Sequence, residues 1–182
     1  MFKGSMSKLN QEFGYLSEQI YQLSVKQKDG HTHRALPHCE DYWEEYQGSC
    51  YYFVDWISDS RSWTNAGIYC QNRDSHLLRI DNQMEFQFIQ GVLYELHYKH
   101  LKNGITPLSG YWTGANDLSN EGQWVWSLRR VPMRYKIWAA TEPNDHKGAE
   151  DCGELSRHHD FKMNDLNCKT EIYFICEKLI FR

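Results

Sequence analysis

The sequence predicts an α+β domain preceded by a short coiled-coil helix, and three observations carry that prediction. Two stretches, 59–80 and 81–101, place apolar residues at helical spacing. Around them lie short runs rich in aromatic and β-branched residues, GSCYYFVDW, YWTGAND, GQWVWSL and IYFICEKL, which read as strands of a small core. Six cysteines, all after residue 38, form an even set with no C-x-x-C pair. That pattern suits disulfides in an oxidising compartment better than zinc or thioredoxin-type chemistry. The count alone leaves roughly 15 pairings open.

Taken in order, residues 1–28 differ in kind from the rest. Phe2, Met6, Leu9, Phe13, Leu16, Ile20 and Leu23 recur at alternating steps of four and three, an a/d heptad seam with polar residues elsewhere. A single helix of this length is marginal in water, so the seam calls for a partner helix. Self-association into a neck is the expectation; an amphipathic helix folded back on the domain is the alternative. Residues 29–38, with Gly30 and Pro37, read as a polar linker in which His31 and His33 are solvated. The domain proper is expected over 39–178, with 179–182 as a tail.

Within it, 48–56 is the first strand. The segment 59–80 starts with cap-type residues, sets Trp63, Ala66 and Cys70 on one helical face, and ends in a strand at His76–Ile80. The second helix opens with Asp81 or Asn82 as N-cap and Glu85 in its first turn, followed by Met84, Phe88, Val92 and Leu96 at steps of four. Residues 139–171 are rich in Asn, Gly, Asp and Pro and read as a long region with little regular structure, tied down by Cys152 and Cys168. Such a region in a compact domain is normally functional.

A chain of 182 residues holds one well-cored domain plus an appendage. With a net charge of -4 and a pI near 6.1, it offers no basic surface for nucleic acid. No apolar run approaches the ~20 residues of a membrane span. MFKGSMSKLN lacks the apolar stretch of a signal peptide, so an oxidising destination implies a leader or anchor ahead of residue 1.

From Cys39 to Lys178 the residues resemble a C-type lectin-like domain. The resemblance is carried by six cysteines with a close N-terminal pair, SWTNAGIYC on a helix, YWTG, and EPN followed by NDLNC and IYFIC. It departs from the family at Thr113 and Ala115, and at Met163, where the family usually shows Trp before Asn-Asp. The resemblance implies the C-type lectin-like fold and the pairings Cys39–Cys50, Cys70–Cys176 and Cys152–Cys168. It also implies a cis Pro143 that turns Glu142 and Asn144 the same way.

The chemistry of TEPNDHKGAEDC and FKMNDLNC supports a metal on its own terms. Carboxylates this dense repel one another unless a cation sits among them. Calcium takes about 6–8 oxygen ligands, and Asn mixed with acids supplies oxygens while limiting the charge. A solvated acidic loop is the bland alternative. The resemblance implies a principal calcium site of Glu142, Asn144, Glu150, Asn164 and Asp165. It further implies an auxiliary calcium held by Asp117, Glu121, Asp145, Glu150 and Asp151, with Glu150 shared.

Two vicinal sugar hydroxyls can complete the shell of such an ion, each being both donor and acceptor. Glu142 and Glu150 would accept from them, Asn144 and Asn164 would donate, and Asp165 would complete the set. Glu-Pro-Asn resembles the mannose-type motif, implying mannose, N-acetylglucosamine, glucose or fucose. His146 stands either against the ring or in solvent, Trp138 reads as packing, and His158, His159 and Asp160 read as solvated loop. One sugar per domain binds weakly, so a neck that clusters heads, three in the resemblance, has a purpose. Acids neutralised by a metal are poor general acids and no nucleophile–base set is visible, so the reading is a binding protein and not an enzyme. The expectation is an extracellular protein, secreted or the ectodomain of a membrane-anchored chain, binding glycans or glycoproteins. A lectin-like domain that binds protein or mineral, with calcium only structural, is the competing reading.

Overall fold

The computed structural model describes residues 38–180. The expected neck at 1–28 and most of the linker, with His31 and His33, lie outside the described residues. In the remainder, β1 (Glu44–Tyr46) and β2 (Ser49–Val54) form a hairpin, followed by α1 (Trp63–Gln71), β3 (His76–Leu77) and α2 (Gln83–Lys102). Then come β4 (Gly110–Asn116), β5 (Val125–Trp126), β6 (Val131–Pro132), β7 (Cys152–Ser156), β8 (Lys162–Leu166) and β9 (Tyr173–Leu179).

The first and last parts of the described domain meet in the sheet. β9 runs antiparallel to β2 from Ser49↔Leu179 to Val54↔Phe174, and so reaches one residue into the expected tail. β9 also pairs in parallel with β4 at Tyr111↔Tyr173 and Trp112↔Phe174. β4 continues antiparallel to β7, which pairs with β8. A register shift in β4 between Trp112 and Asn116 re-aims that strand where it enters the acidic region. The three bridges fall at Cys39–Cys50, Cys70–Cys176 and Cys152–Cys168, the pairings that the resemblance implies. Cys70–Cys176 ties α1 to the central strand; Cys152–Cys168 closes the β7–β8 hairpin.

Both helices form, though not with the expected bounds. The first spans nine residues and buries Ala66 and Cys70. In α2, Asn82 caps the helix through its Oδ1, 3.0 Å from the Glu85 amide, and Glu85 reaches back to the Asp81 amide at 2.8 Å. The buried stripe is Phe86, Ile89 and Leu93, while Met84 is exposed and Phe88, Val92 and Leu96 are not fully buried. The expected stripe at steps of four was misplaced. Each such step overshoots a full turn by about 40°, so a run of them spirals off the face that steps of three and four keep.

The region 139–171 is also more regular than expected. β7 and β8 lie inside it, with Cys152, Leu155 and Met163 fully buried. Met163, standing where Trp is usual, is fully packed, and its backbone bridges to Trp138. Trp138 in turn packs edge-on against Trp124, 4.6 Å between ring centres, so it serves the core.

Candidate metal centre

Two loops and one hairpin converge at the β4–β7–β8 end of the sheet. The anchor is Asp165, which β8 presents wholly buried. Its carboxylate oxygens accept the Asn144 amide at 3.0 Å each and the Asp145 amide at 2.6 Å. The Glu142–Pro143 bond is cis, and the Asn144 Nδ2 lies 2.5 Å from Glu142 Oε2, so the two side chains share one side of the loop. Asp145 has the left-handed backbone φ of 43°, and its Oδ1 accepts the Glu150 amide at 3.1 Å. The His146 amide donates to Glu150 Oε2 at 3.2 Å, so His146 contributes through its backbone while the residue is exposed.

Hydrogen bonds thereby link Glu142, Asn144 and Asp145 to Asp165, and Glu150 to Asp145 and His146. The carboxylates of Glu142, Glu150 and Asp165 do not close to within 4.8 Å of one another. Burial raises the Glu142 carboxyl above its ordinary range, and the nearby Asp165 raises it further. Burial likewise raises Glu150, with Asp165 and Glu142 adding to it. Acids that raise one another in this way form a locus of negative potential that a cation would relieve. Asn164 presents its amide from β8, and its Nδ2 donates to Glu154 Oε1 at 3.1 Å.

The second cluster adjoins the first. Carboxylate oxygens of Asp117, Glu121 and Asp151 lie within 4.8 Å of one another. Asp117 sits at the end of β4, where its Oδ2 accepts the Gly122 amide at 2.8 Å and its own amide donates to the Asp151 carbonyl at 3.1 Å. Its Oδ1 is buried and has no hydrogen-bond partner. A buried carboxylate oxygen without a donor, on one of three closely grouped acids, fits a hard cation with oxygen ligands. Burial raises Asp117, reinforced by Asp151 and Asp165. Desolvation and then the fields of Asp117, Asp145 and Asp151 raise Glu121. Asp145 and Glu150, expected in the same set, do not join this tight grouping, though the field of Asp145 reaches Glu121.

One residue departs from its expected role and another enters without one. His159, read as solvated, brings its Nε2 to 3.9 Å from Glu142 Oε1. Glu154 was not singled out at all. It is fully buried at the middle of β7, and burial pushes its carboxyl up to about 7, opposed by Asn164 and Ser156. The signal was present as an acid between Gly153 and Leu155 in a stretch bounded by a cysteine, but it became legible only once that stretch was a buried strand.

The chain compares directly with known proteins. The family model described as "Lectin C-type domain" matches residues 59–178. Perlucin of Haliotis laevigata is 37% identical over 131 residues, covering 71% of this chain and 76% of perlucin. The human C-type lectin domain family 17 member A is 33% identical over 140 residues, 77% of this chain but only 32% of that longer protein. Among solved structures, the cow CD23 carbohydrate-recognition domain in the presence of GlcNAc2Man3 oligosaccharide superposes with a TM-score of 0.64 at 26% identity. It covers 80% of this chain and 99% of that domain.

Proposed function

The chain belongs to the C-type lectin domain family, a family of non-enzymatic binding proteins, and from that premise we propose that it is a calcium-dependent receptor for mannose-type sugars. The observation that carries the reading is the hydrogen-bonded linkage of the 142–150 segment to β8, in which the buried Asp165 carboxylate holds the Asn144 and Asp145 amides, Asn144 meets Glu142 and Asp145 meets Glu150. With Asn164, the side chains of Glu142, Asn144, Glu150 and Asp165 offer oxygen donors only, which suits calcium. Asp117, Glu121 and Asp151, flanked by Asp145 and Glu150, would hold an auxiliary calcium.

Bound calcium supplies two coordination positions for vicinal sugar hydroxyls and polarises them. The protein does the rest. Glu142 and Glu150 accept the hydroxyl protons in charge-assisted bonds, and Asn144 and Asn164 donate to the hydroxyl oxygens. The order Glu then Asn across the cis proline sets which hydroxyl pair is satisfied, and it matches the mannose-type arrangement. C-type lectin relatives are extracellular proteins or membrane ectodomains, and glycans or glycoproteins displayed there are the fitting partners. Among the described residues no helix is long and apolar enough to cross a membrane. The heptad seam over 1–28 would cluster the heads into a homo-oligomer, a trimer in this reading, which turns millimolar single-site contacts into useful avidity.

The test is retention on immobilised mannose in calcium, with elution by free mannose. Elution by chelator alone, with free mannose without effect, favours a protein or mineral ligand and calcium as a structural ion. Glu142→Gln with Asn144→Asp should move preference toward galactose; unchanged retention on mannose contradicts the roles given to those two residues.

A further inference from the structure

We propose that Glu154 is a positioning residue for the metal centre, one that orients the Asn164 amide without itself ligating the ion. The proposal rests on the calcium reading of that centre. Glu154 and Asn164 are directly opposed across the β7–β8 pair, so their side chains leave the same face of the hairpin. The Asn164 Nδ2 donates to Glu154 Oε1 at 3.1 Å.

An Asn side chain has two ends of nearly equal shape, and only its oxygen can bind a cation. A buried carboxylate on one side admits the nitrogen end and turns the oxygen end away. Glu154 therefore sets which end of Asn164 is free to face the cluster around Asp165. It also leaves the second N–H of the amide available to a ligand oxygen. Nearby ligands of a metal are held in this way by partners one step further out.

The surroundings fix Glu154 as firmly as it fixes Asn164. Its other oxygen, Oε2, is buried without a partner and turned toward Gly110. A Cβ at Gly110 would collide with that oxygen, so the glycine leaves the space that the carboxylate occupies. Glu154 is held in strand β7 between the register partners Trp112 and Asn164. Its carboxyl group thus has one defined orientation behind the ligand it aims.

The experiment is calcium titration by isothermal calorimetry on the full chain, alongside thermal melts without calcium. Glu154→Leu should weaken calcium binding by about 10–100-fold. Glu154→Gln, which keeps an acceptor toward Asn164, should remain within about threefold of the native affinity. Glu154→Asp, one methylene shorter, should withdraw the acceptor and behave like Leu. A purely structural role predicts lowered melting temperatures with unchanged calcium affinity, and that result overturns the proposal. If the Leu variant gives no cooperative melt, the Asp and Gln variants decide: equal affinities in the two overturn it. Native protein that takes up no calcium removes the underlying reading and the proposal with it. Native protein that binds calcium as tightly as Glu154→Leu keeps the reading and overturns the role of Glu154 alone.

Discussion

Two acidic regions of this domain, alike in residue type, differ in how their oxygens are satisfied. Where the N-terminus of α2 meets β2 and β9, Glu85 accepts the Tyr51 hydroxyl and the Asp81 amide, each at 2.8 Å. Glu177 accepts the Ser49 hydroxyl at 3.1 Å and the Arg79 amide at 3.0 Å. Every oxygen of that pair has a donor from the protein. At the β4–β7–β8 end, Asp117 keeps an orphaned oxygen, and burial raises Glu142, Glu150, Asp117 and Glu121, with neighbouring acids, Asp165 and Asp151 among them, adding to it. Both regions hold perturbed acids, so a raised carboxyl alone does not mark a site. At Asp117 a missing donor coincides with two further acids close by, and that combination needs a charge the chain does not supply.

The comparison breaks most sharply at Asp165 against Glu177. Asp165→Ala would remove a proposed ligand and release the Asn144 and Asp145 amides, so calcium affinity should fall by more than about 100-fold, with the other proposed ligands intact. Glu177→Gln should leave calcium affinity unchanged. Calorimetric titration of both variants checks the pair, and equal losses would erase the distinction.

Calcium itself should come next in size. At a concentration of about 100 times its dissociation constant it should stabilise the domain by about 2.7 kcal/mol, read as a rise in melting temperature that chelator reverses. That increment should shrink as pH falls from 8 to 5. The metal-free carboxyls titrate above their ordinary range, so protons compete for them at correspondingly higher pH, and uptake is full only above those raised values. An increment independent of pH counts against carboxylate ligation.

The fully satisfied region should show the opposite sign, and a smaller effect. Burial pushes Glu177 up to about 7, above its unfolded value near 4.3, so the folded state prefers the protonated form. Stability from this group is present below about pH 4 and lost as pH rises toward 7, by up to about 3 kcal/mol. Glu177→Gln keeps the Arg79 bond through its oxygen, and its nitrogen can donate to the Ser49 hydroxyl. It should therefore stabilise the metal-free protein by about 1–3 kcal/mol at pH 8 and have little effect near pH 5. Denaturant melts at the two pH values measure this directly.

Local signals were legible where one residue determines one contact. Asn82 with Glu85 three residues on announced the start of α2, and its hydrogen bonds are those of a capped helix. The buried stripe of the same helix was not legible from steps of four, because packing selects the face that the drift leaves. β7 and β8 were hidden by the Asn, Gly and Asp that surround them. Only pairing across Gly153↔Asp165 and Glu154↔Asn164 makes KMNDL a strand, and such pairing is non-local. The site residues of the two calcium sets were reached through family resemblance added to oxygen-donor chemistry. Glu154 was missed because its role depends on the residue opposite it, ten positions away in sequence.

The most direct test of the account is a glycan array probed with the full chain, once in calcium and once in chelator. The account predicts binding to glycans with terminal mannose, N-acetylglucosamine or fucose in calcium, and its loss in chelator. Binding that persists unchanged in chelator, or no retention of any glycan by calcium-loaded protein, would contradict it.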